Sequence, residues 1–243
     1  MGLVTAKEVA KAINVSKYGY VGTFIAWLLM KVTRISALNS FYDTISHLDC
    51  EAYAQAILEY YEINYDIPED DFKRLPKEGP YITISNHPLG GIDGILLMKL
   101  MLPKRDDYKI LANFLLERMA PLKPYMFSVN PFESRKEVRS SIGGFKKAFQ
   151  HLRDGHPLGI FPAGEVSTHK DGKLIVDKPW EEAALKLIRK AQVPVVPIYF
   201  HSRNSKLFYR ISKLGDSLRT AMIPSQVLSQ RNRPIKVRIG QPI

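Results

Sequence analysis

The first seventy residues carry apolar positions at helical spacing. Thr5 is a good N-cap for a first helix, a mainly apolar run follows at 18–30, and a further helix is predicted over 43–61. The apolar run is shorter than the roughly 20 residues that a bilayer-spanning helix needs. Phe24 and Trp27, close to basic residues, suit a helix that lies in a membrane interface. Packing of the apolar face on the rest of the protein is an equally good alternative.

Beyond a proline-rich, acidic linker at 65–80, short apolar runs alternate with helical patterns. The predicted strands cover 81–85, 108–113, 126–130, 157–162, 193–200 and 235–240, and the predicted helices cover 91–102, 138–153 and 179–191. This order predicts an α/β fold, with a mixed, largely parallel sheet flanked by helices and a site on its loops. We therefore divide the chain into an N-terminal helical, membrane-docking segment at 1–70 and a catalytic domain at 71–243.

The net charge of +11 is placed at one end of the chain. Residues 186–243 contain twelve Lys or Arg and a single acid, Asp216. Such a field favours an anionic partner, either lipid head groups or an acidic carrier protein, although a solvated basic face is the common alternative. No nucleic-acid-binding motif accompanies the charge, so we predict no nucleic-acid partner. The lone Cys50 excludes an internal disulfide, and the histidine spacing does not indicate a metal site.

The strongest chemical signal is the sequence Asn-His-Pro-Leu-Gly-Gly-Ile-Asp-Gly at 86–94, directly after the first predicted strand. A histidine at a strand end, followed by a glycine turn that returns an aspartate, is a way to pair a base with an orienting carboxylate. His87 and Asp93 are therefore the catalytic candidates. The alternative is structural, with Asp93 capping the next helix and His87 merely hydrogen-bonded.

Two further strand ends present polar loops, which is typical of the rim of an α/β active site. The strand predicted at 157–162 leads into Pro162, Gly164, Glu165 and Ser167. The strand at 126–130 leads towards Phe132 and Arg135, and the arginine is a candidate anion-binding residue.

Taken together, four ordered blocks resemble the glycerolipid and lysophospholipid acyltransferases. The blocks lie at 86–93, 132–135, 161–167 and 193–198, and the resemblance covers about residues 75 to 200. It implies a glycerol-3-phosphate acyltransferase-like fold and an enzyme whose His87 and Asp93 transfer a fatty acyl group from a thioester to a lysolipid hydroxyl. We expect no metal and, because such a base can act on the acceptor directly, no cofactor; acyl carrier protein or coenzyme A would carry the acyl thioester as co-substrate.

Two features depart from the common family pattern. Five residues separate His87 from Asp93, where four are usual, and this longer form resembles the hemolysin-like branch that includes acyltransferases of ornithine and glycine lipids. Ala163 and Val166 stand where the family commonly has glutamate and arginine. Valine cannot pair with a phosphate, whereas the carboxylate of Glu165 suits a cationic or hydroxyl-bearing head group.

The sequence therefore predicts a membrane-surface enzyme that acylates the hydroxyl of a lyso-aminolipid, at the cytoplasmic face as a peripheral or monotopic protein. Its expected partners are the acyl thioester, the lysolipid and an anionic membrane surface. The predicted substrate-binding residues are Asn86, Phe132, Arg135, Pro162, Gly164, Glu165 and Ser167. A lysophosphatidic acid acyltransferase with the same base and a non-catalytic, membrane-associated lipid-binding protein remain the alternatives.

Overall fold

Four helices precede the sheet in the computed structural model, which describes residues 3–129, 138–170, 174–211, 222–223, 225–231 and 233–243. They are α1 (Ala6–Ala12), α2 (Gly19–Val32), α3 (Ile35–Ile45) and α4 (Cys50–Tyr60). A capping box between Thr5 and Glu8 begins α1, as its sequence predicts. The single helix predicted over 43–61 is wrong, because Asp49 accepts a hydrogen bond from the Ala52 amide at 2.8 Å and begins a new helix there.

The N-terminal helices pack in two separate places. α1, α2 and the start of α3 share a small apolar cluster of Val9, Ala10, Ala26, Met30 and Ile35. The end of α3 and the buried face of α4 belong instead to the main core. The division at residue 70 stays a prediction.

Within the described residues, seven strands form one sheet and two more form a hairpin. The strands are β1 (Tyr65–Asp66), β2 (Ile82–Ser85), β3 (Lys109–Asn113), β4 (Met126–Val129), β5 (Leu158–Ile160), β6 (Thr168–Lys170), β7 (Leu174–Val176), β8 (Val195–His201) and β9 (Ile235–Ile239). The sheet order is β1-β9-β8-β2-β5-β3-β4, and β6 pairs with β7. Every neighbouring pair in the sheet is parallel except β8 and β9. The predicted mixed, largely parallel sheet is confirmed.

Helices cover both faces of this sheet. α5 (Gly91–Met101) is apolar around most of its circumference, because it lies in the main core with α4 and one sheet face. α6 (Val138–Arg153) and α7 (Glu182–Ala191) cover the other face through Ala148, Leu152, Ala184 and Leu187. A short helix, α8 (Lys206–Ile211), follows β8.

The strand register sets the position of the site. β2 lies in the middle of the sheet, between β5 and β8, and Ile84 pairs with both Ile160 and Pro197. The loops that begin at Asn86 and Phe161 therefore leave the same edge of the sheet side by side. This is the edge at which parallel α/β sheets carry their binding sites.

Ionic contacts connect the N-terminal ends of β3 and β5, which lie at the side of the sheet opposite the site. Asp107 accepts two hydrogen bonds from Arg105 at 2.6 and 2.8 Å, and its Oδ2 lies 2.7 Å from Nδ1 of His156. Partial burial raises the pKa of Asp107, but the hydrogen bonds with Arg105 and His156 outweigh it and lower the pKa to about 2. This cluster lies away from the predicted site and serves the fold.

Candidate active site

Asn86 fastens the end of β2 to β8. Its side-chain amide donates to the Phe200 carbonyl at 2.9 Å, and its Oδ1 accepts from the Phe200 amide at 2.7 Å. These two bonds continue the β2–β8 ladder one step beyond Ser85, with a side chain in place of the main chain. The amide group of Asn86 is thus occupied by the protein, and the structure places this predicted substrate-binding residue in a positioning role.

The glycine turn brings Asp93 back to His87. Gly90 has φ +77°, a conformation that favours glycine, and α5 begins at the next residue. Asp93 Oδ2 accepts hydrogen bonds from the amides of Leu89 at 2.8 Å and Gly90 at 3.0 Å. The same oxygen lies 3.2 Å from His87 Nδ1. The turn, the helix start and the carboxylate therefore form one unit.

The electrostatics of this pair follow from burial. Asp93 is fully buried, which raises the pKa of its carboxyl group, while His87 and the two amides oppose that rise. The His87 side chain is 19% exposed, so it is reachable. The contact between Nδ1 and Oδ2 is close but not aligned as a hydrogen bond, as is common before a substrate binds. A proton on Nδ1 that faces Asp93 leaves Nε2 as the basic atom of the ring.

The loop after β5 packs directly on His87. The ring of Phe161 lies 4.4 Å from the imidazole, centroid to centroid, and the Ser167 amide donates to the His87 carbonyl at 3.0 Å. Pro162 is buried and Gly164 is exposed. Ser167 is buried, and its hydroxyl lies 3.2 Å from the Tyr209 hydroxyl, so its side chain is turned away from the open site. The two predicted loops therefore meet through one main-chain hydrogen bond and through the rings of His87 and Phe161.

Glu165 and Val166 have different surroundings from those that the sequence indicates. Glu165 forms an ion pair with Lys178 at 2.6 Å, so its carboxylate does not stand alone in the loop. Val166 is buried in an apolar cluster with Phe208 and Tyr209. Ala163 is also buried. The positions that the family commonly fills with arginine and glutamate therefore point into the protein interior here.

Two residues that the sequence did not indicate contact the loop of His87, and a third contacts one of these two. Asp177 Oδ2 accepts the His87 amide proton at 3.0 Å, Asn204 donates to the Pro88 carbonyl at 2.7 Å, and the Tyr209 hydroxyl accepts from the Asn204 amide at 3.2 Å. All three follow β7 or β8 in sequence. These contacts could not be predicted from the sequence. They form only because the β6–β7 pair and β8 bring distant parts of the chain next to His87.

Phe132 and Arg135 lie outside the described residues. Among the residues that are described, no group of three or more His, Cys, Asp or Glu side chains is arranged to hold a metal ion. The expectation that catalysis needs neither metal nor cofactor stays a prediction.

Comparison with known proteins shows which family this chain belongs to. The chain is 27% identical to the lyso-glycine lipid O-acyltransferase of Bacteroides thetaiotaomicron, across 99% of this chain and 88% of that protein. It is equally similar to the protein of the same name from Phocaeicola vulgatus, across 99% and 86%. The crystal structure of the 1-acyl-sn-glycerophosphate (LPA) acyltransferase PlsC from Thermotoga maritima aligns with a TM-score of 0.44 at 16% identity, over 89% of this chain and 85% of that one. The family model described as "Acyltransferase" matches residues 8–243, and the chain therefore belongs to this acyltransferase family.

Proposed function

We propose that this acyltransferase moves a fatty acyl group from an acyl thioester to the hydroxyl of a lysolipid, with His87 as the general base. The observation that carries the proposal is the contact between His87 Nδ1 and the buried Asp93, on a ring that remains partly exposed. The names of the two relatives, both lyso-glycine lipid O-acyltransferases, support a lyso-aminolipid as the acceptor.

The reaction follows from the chemistry of this pair. His87 Nε2 takes the proton of the acceptor hydroxyl while the oxygen attacks the thioester carbonyl, and Asp93 stabilises the imidazolium that forms. The C–S bond then breaks, the imidazolium returns the proton to the leaving thiolate, and an ester remains. No covalent enzyme intermediate is needed, since the acceptor oxygen attacks directly.

Main-chain amides of the loop at 161–167 are the proposed donors to the tetrahedral oxyanion. Two of them are already engaged, because Gly164 donates to the Phe161 carbonyl and Ser167 to the His87 carbonyl. The proposed oxyanion donors are therefore the other main-chain amides of this loop.

The surroundings of residues 165 and 166 favour an aminolipid over a phosphate monoester. Buried Val166 offers no charge to a phosphate, and Lys178 and Glu165 neutralise each other beside it. The Lys178–Glu165 pair presents both a donor and an acceptor, which suits a head group that carries polar groups of both kinds. Phosphate recognition through Arg135 is the competing proposal and gives a lysophosphatidic acid acyltransferase.

An acceptor panel tests the function. Purified protein receives acyl carrier protein or coenzyme A thioesters together with lyso-glycine, lyso-ornithine or lysophosphatidic acceptors, beside His87→Ala. We expect transfer to an aminolipid and a loss of about 10²–10⁴-fold or more in His87→Ala. His47→Ala is the matched control, because His47 lies in the turn between α3 and α4.

Each contrary result has a defined meaning. Transfer only to lysophosphatidic acid would overturn the aminolipid acceptor and keep the base. Activity of His87→Ala within tenfold of the unchanged protein would overturn the base. Lipid binding without turnover of any acceptor would favour the non-catalytic alternative.

We further propose that α2 docks the enzyme on an anionic membrane surface, at the cytoplasmic face, as a peripheral or monotopic protein. Its outward side exposes large apolar groups, among them Tyr20 (97%), Val32 (72%) and Phe24 (62%). Phe24 stacks on Trp27 with centroids 5.7 Å apart, and Lys31 lies 5.3 Å from the Trp27 ring. Aromatic and basic side chains side by side suit the lipid head-group region.

Among the described residues, no single helix is both long and apolar enough to cross a bilayer. The pair Ser16–Val32 and Ile35–Ile45, bent by 72°, meets the length and composition criteria together.

Vesicle binding tests the docking surface. Phe24→Ser with Trp27→Ser should reduce cosedimentation with phosphatidylcholine–phosphatidylglycerol vesicles, while Tyr199→Ser, on an exposed part of β8, should not. Equal binding by all three proteins would contradict the docking role of α2.

A further inference from the structure

The segment 177–181, between β7 and α7, contacts both loops of the site. Asp177 accepts the His87 amide proton at 3.0 Å, and Lys178 pairs with Glu165 at 2.6 Å. The Glu181 amide donates to the Pro162 carbonyl at 2.8 Å. Because the backbone of Glu181 is extended (φ −64°, ψ 136°), α7 begins at Glu182 and not at the predicted residue 179. One short segment thus connects the histidine loop to the loop that follows β5.

Asp177 is the member of this segment that contacts His87, through the main-chain amide. Burial raises the pKa of its carboxyl group, against the effect of the His87 amide and of His87. Among the described residues, no Lys or Arg side chain forms an ion pair with Asp177. A partly buried carboxylate without a cationic partner costs stability, and such groups concentrate at functional sites. Its contact with the main chain of His87 indicates that the carboxylate of Asp177 holds the catalytic histidine in position.

Three contacts define where His87 stands. Its neighbour Asn86 is bonded to Phe200, its own carbonyl accepts from Ser167, and its own amide donates to Asp177. Both main-chain hydrogen bonds of His87 are 3.0 Å long, and the one with Asp177 has an ionisable acceptor, which strengthens a hydrogen bond when it is charged.

We propose that Asp177 is a positioning residue of the acyl-transfer reaction. Its carboxylate holds the main chain of His87 so that the imidazole keeps its place between Asp93 and the acceptor hydroxyl. The inference rests on the proposed role of His87 as the general base. A displacement of a catalytic group by about 1 Å costs on the order of 10²-fold in rate, so the loss of this hold is measurable.

A double-mutant cycle with His87 tests this role. Asp177→Leu removes the acceptor at similar size, and Asp177→Asn keeps an oxygen for the His87 amide. Lys186→Met breaks the exposed ion pair with Glu182 in α7, just after this segment, and is the matched control. Each variant is made in the unchanged protein and in His87→Ala, and kcat and KM are measured with the acceptor that proves active.

We expect Asp177→Leu to lower kcat by about 10²-fold, with KM within about threefold, because Asp177 acts on the base and not on the substrates. Asp177→Asn should retain kcat within about fivefold, since it leaves an acceptor for the His87 amide. Lys186→Met should do the same, since its ion pair lies on the exposed surface of α7. In the His87→Ala background, Asp177→Leu should change the residual rate by less than about twofold, since residues that act as a unit are not additive.

Equal losses from Asp177→Leu in both backgrounds would overturn the proposal, as would an unchanged kcat. If Asp177→Leu does not fold, Asp177→Glu shifts the carboxylate by one methylene. It should then lower kcat by about tenfold at constant KM, and an unchanged kcat would again overturn the proposal. A His87→Ala protein of near-normal activity would refute the proposed function instead. An inactive His87→Ala beside a fully active Asp177→Leu would refute only the role of Asp177.

Discussion

Replacement of Asn86 by leucine isolates the connection between the histidine loop and the sheet. Leucine has nearly the size of asparagine but can neither donate nor accept a hydrogen bond. The change therefore removes the bonds to the amide and the carbonyl of Phe200, at 2.7 and 2.9 Å, and little else. Phe200 is fully buried, so its freed polar groups reach water only along the partly buried edge near residue 86.

The size of the effect follows from these two bonds. Each hydrogen bond contributes about 1 kcal/mol, and each buried polar group left unpaired costs about 1–3 kcal/mol. Because water can reach part of this site, the total loss of stability should lie near the lower end of these ranges. We therefore expect the free energy of unfolding to fall by about 2–4 kcal/mol. Because Asn86 precedes His87, we also expect kcat to fall by about tenfold or more in the protein that remains folded.

Urea unfolding followed by circular dichroism gives the change in stability, with the m-value as a check that the denatured state is unchanged. Gln55→Leu is the control, because this amide bonds only Glu59 along the exposed surface of α4, and its loss should cost less than about 0.5 kcal/mol. A midpoint for Asn86→Leu equal to that of the control would refute the role of Asn86 as a connector.

Three further substitutions test the catalytic pair and the stability of the fold. Asp93→Asn should lower kcat by about 10²–10⁴-fold yet change the urea midpoint little, because burial raises the pKa of Asp93 and its charge costs stability at neutral pH; a parallel loss of both would contradict this. Gly159→Ala should destabilise by about 1–3 kcal/mol, since its Cβ would lie 2.2 Å from the Tyr108 hydroxyl; an unchanged midpoint would contradict it. Asp107→Asn should lower the melting temperature at pH 7. Because a lowered pKa means that only the ionised carboxylate stabilises the fold, the difference from the unchanged protein should vanish as the pH falls from 3.8 through about 2. A difference that persists at pH 2 would contradict this prediction.

The sheet was predictable from the sequence because its central strands are short runs rich in apolar and β-branched residues. Ile82–Ser85 and Val195–His201 are such runs, each preceded closely by a proline, and they identify strands without any tertiary information. The β6–β7 hairpin and the two-residue β1 were not predicted, because strands of two or three residues carry too few positions for a period to show. The split between α3 and α4 was also missed, since the apolar spacing continues across it and only the cap at Asp49 marks it.

The local part of the site was predictable for a different reason. His87 and Asp93 are joined by one turn, so their contact depends on few dihedral angles, and the sequence contains the glycines that the turn needs. The contacts of Asn204 with Pro88 and of Asp177 with His87 span 116 and 90 residues, and their geometry depends on how the sheet closes. Pattern and spacing carry no information about contacts of that kind.

Head-group preference therefore cannot be assigned to single positions of the loop at 161–167. An arginine at position 166 would place a guanidinium where Val166 now packs on Phe208 and Tyr209, beside the turn at Gly90. An unpaired charge buried there costs several kcal/mol, and the segment that contains α8 would have to move before the guanidinium could reach a ligand. The identity of residue 166 and the position of the helical segment that covers it thus depend on each other, and an inference about the acceptor must take both into account. In this chain the Glu165 carboxylate pairs with Lys178, and the Pro162 carbonyl accepts from the Glu181 amide. Under the proposed function, a head group at this loop would therefore meet an ion pair instead of a phosphate-binding arginine.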